Sequence, residues 1–346
     1  MRPVLLPANT PDTFYRGAGR IEEFRGLPSS GTVSRPEDWI GSTTTRFGAV
    51  RDANGAAAGL SVLPDGRLLV DAIATEPERW LGPAHLARYG ADPTILVKLL
   101  DAGQRLPLHV HPDRRFATAH LAHPYGKTEA WVILEAVPDA VVYLGFARTV
   151  EVDELAGWVA EQRTEEMLAA TNRVPVQAGD SVLVPAGLPH AIGAGVLLVE
   201  IQEATDFSVL LEVAGFALDA SSALLGLPRD QALSCVDRAG WAGERLAGLR
   251  RDRAEVRPGV HRLFPAEADE FFAAERLRPA PTSALDAGFS ILVISTGSGA
   301  LTPDGGPALP VSHGQTLVIP YAWGPATLTG DVEAIRLRPA PVPASG

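Results

Sequence analysis

The sequence predicts a mainly β protein built around a small barrel, and three observations carry that expectation. Gly 34 and Pro 29 among 346 residues favour many turns and short strands over long helices. Apolar runs of strand length recur between turn residues, as in TILVKLLD at 94–101, AWVIL at 130–134 and SVLV at 181–184. Four metal-ligand side chains sit beside those runs: His109 and His111 in LHVHPD, Glu129 in GKTEAW, and His190 in GDSVLVPAGLPHAIG. His109-Val110-His111 has period two, so on a strand both rings project from one face. Glu129 stands just before a second strand, and His190 follows a third across the turn Pro185-Ala186-Gly187-Leu188-Pro189. Three short strands presenting ligands to a common interior are what the inside of a small barrel provides.

Read in order, residues 1 to about 90 are irregular with short strands, and turns fall at 52–55 and 63–66. The run at 94–101 leads into the His-x-His segment, and 129–150 reads as strand, turn, strand. From Glu151 to Thr171 the spacing turns helical, with Leu155, Trp158, Val159 and Met167 near one stripe. Strands resume at 175–184 and 195–202. The stretch 218–253 alternates charges with alanine and leucine, and Pro228 is placed to start a helix. Strands return at 289–294 and 315–319. An internal echo joins the halves: Gly179-Asp180-Ser181-Val182-Leu183-Val184-Pro185 recurs as Gly314-Gln315-Thr316-Leu317-Val318-Ile319-Pro320, but the second copy continues as Tyr321-Ala322-Trp323-Gly324, with no histidine. The expected organisation is a metal-binding barrel over 1–215 with an N-terminal extension and a short helical insertion. A helical linker over 216–254 and a degenerate second barrel without ligands over 255–346 follow.

Three imidazoles and a carboxylate suit a divalent transition metal. Glu129, set among apolar residues, would otherwise be a buried carboxylate with no evident partner, and buried charges are paired or bound to metals. His120 and His123, outside this pattern, read as ordinary packed or surface histidines. The formal charge of −11 disfavours nucleic acid or an anionic membrane as main partner. It leaves room for a small anionic substrate, because a pocket's local potential can oppose the global sign. Cys235 is the only cysteine, so no intramolecular disulfide forms and a reducing cytoplasm is the expected home. The opening MRPVLLPANTPD has too short an apolar run for a leader, and no stretch approaches the ~20 residues of a membrane span.

His-x-His, then Glu, then G-x5-P-x-G-x2-H resembles the two cupin motifs, which implies a jelly-roll β-barrel. The finer wording (LHVHPD, GKTEAW, GDSVLVPAGLPHAIG, and LLVEIQ after it) resembles class I mannose-6-phosphate isomerases. Those typically read L-S-x-Q-x-H-P-D, G-K-T-E-x-W and P-x-G-x-x-H-A-I-G. The resemblance covers about residues 90–215 and extends weakly to PEDW at 36–39. It implies that His109, His111, Glu129 and His190 hold one ion, usually zinc. His109 stands where most relatives carry glutamine, which exchanges an amide oxygen for an imidazole nitrogen and gives a softer site that nickel, iron or manganese could also occupy. Lys127 matches the pocket lysine of G-K-T-E. Asp206 matches the aspartate of a D-x3-R segment whose arginine position is Leu210 here.

The implied activity is interconversion of mannose 6-phosphate and fructose 6-phosphate by a monomer or homodimer. A Lewis-acid ion polarises the carbonyl and stabilises the developing enediolate, while a base moves a proton between C1 and C2. Lys127, Asp206 and a water on the metal are the candidates for that base. Lys127 is the first candidate for phosphate, with Arg114 and Arg115 as replacements for the missing arginine. Gly126 and Gly187 are expected to meet backbone needs near the metal, and Trp39 and Trp131 to serve as pocket wall or core. Leu210 also keeps open an isomerase of an unphosphorylated sugar, or a cupin that binds a sugar without turnover.

Overall fold

The computed structural model describes residues 1–48, 57–218, 223–250 and 254–342. The turn expected at 52–55 lies outside them. Two five-stranded antiparallel sheets face each other in the first part of the chain. One runs, in spatial order, Glu37–Ile40, Ile95–Ala102, Val196–Glu203, Glu129–Ala136, Ser181–Val184. The other runs Val209–Leu210, His109–Val110, His190–Ile192, Val141–Phe146, Thr171–Pro175. The period-two pleat decides what each face does. In the first sheet Val97, Leu99, Ala130, Val132, Val199 and Ile201 pack outward against the C-terminal part of the chain. Trp131, Ile133, Leu100 and Leu198 point the other way, into the barrel. Burial on both faces explains why these strands read as continuous apolar runs rather than as alternation.

The outer face of the second sheet (Val110, Ala191, Val209) is covered by the helices Val152–Glu161 and Thr164–Ala170. Their buried residues are the stripe expected from spacing: Leu155, Trp158, Val159 and Met167. The single helix expected there is broken at Gln162, which adopts φ 51° and uses its amide to bond the carbonyls of Val159 and Leu211.

The C-terminal sheet has nine strands, organised on two of fourteen residues, Ser290–Pro303 and Ala326–Pro339. A bulge between Ile294 and Thr296 divides the first of these. Thr316–Ile319 pairs before it and Leu309–Ser312 after it. Leu292, Ile294, Leu301, Val311, Leu317 and Leu328 then meet in one apolar cluster, so the sheet folds over on itself. Val4–Leu5, at the start of the chain, pairs with Thr316–Ile319 in this sheet.

Two stretches differ from expectation. Residues 69–89 form three short helices, Leu69–Thr75, Pro77–Leu81 and Pro83–Tyr89, where irregular structure was read. Pro77 and Pro83 each sit at a helix start, where a missing N–H costs nothing. In 216–254 the described residues form only two five-residue helices, Arg229–Leu233 and Gly243–Ala247, and a 3-10 turn at Gly248–Arg250. Leu225, Leu233, Val236, Trp241 and Leu249 bury against the first barrel, so this stretch clothes that barrel rather than spanning two cores.

Candidate metal centre

The four expected ligands converge. His109 and His190 are direct cross-strand partners, His111 follows one residue after the strand of His109, and Glu129 opens a strand of the facing sheet. The potential ligand atoms of the three histidines lie within 4.8 Å of one another, close to the ~4 Å spanned by two metal–nitrogen bonds. Glu129 Oε2 is 2.9 Å from His111 Nε2, and Oε1 is 3.3 Å from His190 Nε2. All four residues are buried.

Each imidazole has one nitrogen committed. His109 Nδ1 donates to Pro107 O (2.8 Å), His111 Nδ1 to Phe207 O (2.7 Å) and His190 Nδ1 to Leu188 O (2.7 Å). A carbonyl only accepts, so Nδ1 carries the proton in all three rings and Nε2 keeps its lone pair for an ion. His190 Nε2, whose lone pair faces the Glu129 carboxylate, is a buried polar atom without a hydrogen-bond partner among the described residues.

Electrostatics hold the ligands in the required states. Burial, reinforced by Lys127, pushes the pKa of His111 down to about 3. Burial and then the neighbouring His190 and His111 lower that of His109 well below the usual histidine range. Burial alone would raise the pKa of Glu129, but Lys127 and His111 outweigh it and keep the carboxyl ionised. Neutral imidazoles and an ionised carboxylate are the metal-binding forms. The cluster already attracts a cation, since Lys127 Nζ lies 2.5 Å from Glu129 Oε2 and 2.7 Å from His111 Nε2. The donor set therefore fits a divalent ion.

Beside the cluster is a cavity of about 400 Å³, with His109, Lys127, Glu129, Asp206 and Leu210 among its lining residues. A row of cross-strand partners runs Trp39, Lys98, Glu200, Trp131, and its two central residues, Lys98 and Glu200, line the cavity. Lys98 Nζ lies 3.7 Å from Glu37, 3.5 Å from Glu200 and 3.6 Å from Asp206. Burial would lower its pKa, but the three carboxylates together leave it raised. Burial raises the pKa of Asp206, with Lys98 opposing and Glu37 adding to the rise. Trp39 Nε1 donates to Glu37, and Trp131 Nε1 to both Glu129 and Glu200. Both rings are buried core, so the tryptophans act by holding carboxylates in place.

Glu37, Lys98 and Glu200 were missed as site residues. The available signal was a single charge inside an otherwise apolar run, in TILVKLLD and in GVLLVEIQ. The expected pair Arg114 and Arg115 is not among the residues lining this cavity. Asp113 caps the helix Arg114–His120 by accepting from Phe116 N, and both arginines fall in the first turn of that helix. Arg114 instead lies 2.5 Å from Glu203 Oε1 and over the Phe271 ring, tying the barrel to the C-terminal part. Arg115 is exposed. His120 is exposed and near Gln231, and His123 sits edge-on to Phe207, both outside the ligand set. Gly126 permits a close backbone approach, since a Cβ there would lie 2.6 Å from Pro112 O. Gly187 has φ +86°, which suits the turn before His190.

No family model matches the chain. A mannose-6-phosphate isomerase of Bacillus subtilis is 38% identical over 112 residues, covering 32% of this chain and 34% of the relative. A mannose-6-phosphate isomerase of Streptococcus mutans is 36% identical over 112 residues, with the same coverage. The matched segment thus spans about a third of the length of these curated relatives. Among solved structures, the mannose 6-phosphate isomerase from Bacillus subtilis superposes with TM-score 0.76 at 21% identity, covering 98% of this chain and 100% of that one. A putative mannosephosphate isomerase from Archaeoglobus fulgidus gives TM-score 0.73 at 16% identity, covering 99% of each chain. The expected cupin architecture is therefore shared along the whole chain with these solved structures, while the sequence likeness to the curated relatives is confined to about 112 residues.

Proposed function

We propose that this chain is a metal-dependent aldose–ketose isomerase that interconverts mannose 6-phosphate and fructose 6-phosphate. The carrying observation is the convergence of three Nδ1-anchored imidazoles and Glu129 on one wall of a charged cavity. The names of the curated relatives support the substrate pair. His109, His111, Glu129 and His190 would hold the ion, with zinc the first choice for this donor set. When bound, the ion supplies Lewis-acid polarisation of the sugar carbonyl and stabilisation of the enediolate.

The chain's own residues do the rest. Asp206 takes the proton from C2 of the aldose and returns it to C1, while the O2 hydroxyl proton passes to O1, so that C2 becomes the carbonyl carbon and C1 carries the hydroxyl. Its pKa, raised by burial, makes it a stronger base than an ordinary aspartate. Lys127 Nζ, within reach of Glu129 and His111, donates hydrogen bonds to the sugar oxygens that gain charge. Lys98 holds Asp206 and Glu200 in place. Phe14, Leu100, Leu106 and Ile192 supply the apolar walls that keep bulk water from the reacting carbons. The reading also takes the protein as a cytoplasmic monomer or homodimer without nucleic-acid or membrane partners. No helix among the described residues is long and apolar enough to cross a membrane.

A coupled assay for fructose 6-phosphate, with elemental analysis of the same sample, tests the proposal. The expected result is turnover that chelation abolishes and zinc restores. Saturable sugar binding without turnover in metal-loaded protein would convert the reading to a binding module. One observation favours a second substrate class: Leu210, the cross-strand partner of His109, puts an apolar side chain at the cavity wall. If Leu210→Arg brings a large gain for phosphosugars alone, the native substrate is an unphosphorylated sugar.

A further inference from the structure

Three cations line the cavity among the described residues, and two are committed. Lys98 is shared by Glu37, Glu200 and Asp206, and Lys127 by Glu129 and His111. The third is Arg46, whose Nη1 is buried with no hydrogen-bond partner among the described residues. A guanidinium nitrogen withdrawn from water and left unpaired is costly, and the cost is removed when an anion arrives. Arg46 also lines a second cavity of about 640 Å³, which shares Phe47, Gly48 and Asp206 with the first. It therefore stands where the metal-side chamber passes into the outer one. Its backbone is fixed there by an N–H bond to Ala58 O (2.8 Å). Its charge is felt inside, where it helps lower the pKa of Glu37 and opposes the rise at Asp206.

We propose that Arg46 is the residue that recognises the substrate's phosphate, with the sugar's reacting end at the metal-side chamber and its phosphorylated end at the junction of the two cavities. This inference rests on the isomerase reading for the identity of the substrate. A hexose 6-phosphate carries its phosphate at the end opposite C1 and C2, and Arg46 stands at the junction of the two cavities, outside the histidine cluster. Planar guanidinium donors fit phosphate oxygens two at a time. Leu210 offers no charge, Lys98 is held by three carboxylates, and Lys127 is assigned to the reacting oxygens beside the metal cluster, so Arg46 is the cation left for the phosphate.

The test compares wild type, Arg46→Ala and Arg46→Lys as zinc-loaded full-length chains. Steady-state kinetics on mannose 6-phosphate are combined with calorimetric titration of mannose 6-phosphate, mannose and inorganic phosphate. Arg46→Ala is expected to raise KM and Kd for mannose 6-phosphate about tenfold to a hundredfold with kcat changed less than about threefold. Affinity for mannose should be unmoved, and Arg46→Lys should restore part of the loss. Should the alanine variant fold poorly by its melting curve, the lysine variant and Arg46→Gln carry the comparison. Wild-type turnover with an unchanged KM in Arg46→Ala overturns the assignment of Arg46 and leaves the isomerase reading intact. Absence of wild-type turnover, with phosphate binding present and lost in Arg46→Ala, supports the anion site and overturns the isomerase reading instead. Wild-type protein that binds neither phosphate nor mannose 6-phosphate overturns the inference.

Discussion

In the segment 179–190 a glycine at φ +88° opens the strand Ser181–Val184, Pro185 closes it, and the chain turns to bring His190 to the ligand cluster. In the segment 314–323 a glycine at φ +81° opens Thr316–Ile319 and Pro320 closes it, but the chain turns into Tyr321–Trp323. The Tyr321 ring then lies against Gly82, where an added Cβ would come within 2.6 Å of it. One strand device thus ends in a ligand in the first barrel and in a packing contact in the second. The interiors diverge in the same way. The first keeps Glu37, Lys98, Glu129 and Glu200 around an open cavity, while the second is filled by Leu292, Ile294, Leu301, Val311, Leu317 and Leu328. A small barrel has room either to hold a ligand or to be packed solid, and this chain contains one of each. On the proposed function the chemistry belongs to the first barrel, and the second should contribute stability alone.

The strongest way to break that division is at Glu129. Glu129→Gln keeps the shape but removes the ligand charge that Lys127 and His111 surround. Isomerase kcat/KM should fall about a thousandfold or more, with ion content per chain reduced in parallel by elemental analysis. Activity surviving in an ion-free variant would place the chemistry elsewhere. Next comes Lys98, which is buried among three carboxylates. Lys98→Met strands those acids without a counter-charge and should lower unfolding free energy by about 3–5 kcal/mol, read from urea midpoints at pH 7. A small loss there would mean that the lining of the cavity relaxes or hydrates more readily than its burial suggests.

The convergence of the candidate ligands was legible because their signals are local. A His-x-His at period two, a glutamate beside an apolar run and a histidine after a glycine–proline turn each describe their own strand. The supporting charges were harder to read. Lys98 and Glu200 are separated by a hundred residues and become neighbours only when two strands pair. Both faces of those strands are buried, so no alternation marked which side faced the cavity. Arg114 and Arg115 were misjudged for a similar reason. Adjacency to HPD placed them near the metal in sequence, but both fall in the first turn of the helix that Asp113 caps, and neither lines the cavity. Arg46 follows three threonines, and nothing local distinguishes it from a solvated arginine. Its meaning comes from the cavities that meet there.

Two smaller effects sharpen the comparison from the other side. Leu292 is fully buried at the centre of the second barrel. Leu292→Ala should cost about 3 kcal/mol of stability, and with the division as argued, kcat and KM of the folded fraction should stay within about twofold of wild type. A large change in KM would show that the second core sets the geometry of the first. The weakest effect is expected at Asp286. Burial pushes its pKa up, but the Arg336 and Arg338 guanidinium groups outweigh that and hold it well below the usual aspartate range. A carboxyl depressed in the folded state stabilises the protein above its unfolded pKa of about 4, and that contribution is lost as pH falls below it. Because Asp286 is close to half exposed, solvent screening limits the effect to under about 1 kcal/mol. Asp286→Asn should therefore narrow the gap between urea midpoints at pH 7 and pH 3 while leaving metal content at pH 7 untouched. If the variant instead loses the ion, the ion pairs of the second barrel are coupled to the metal centre, and the two interiors are not the independent bodies their packing implies.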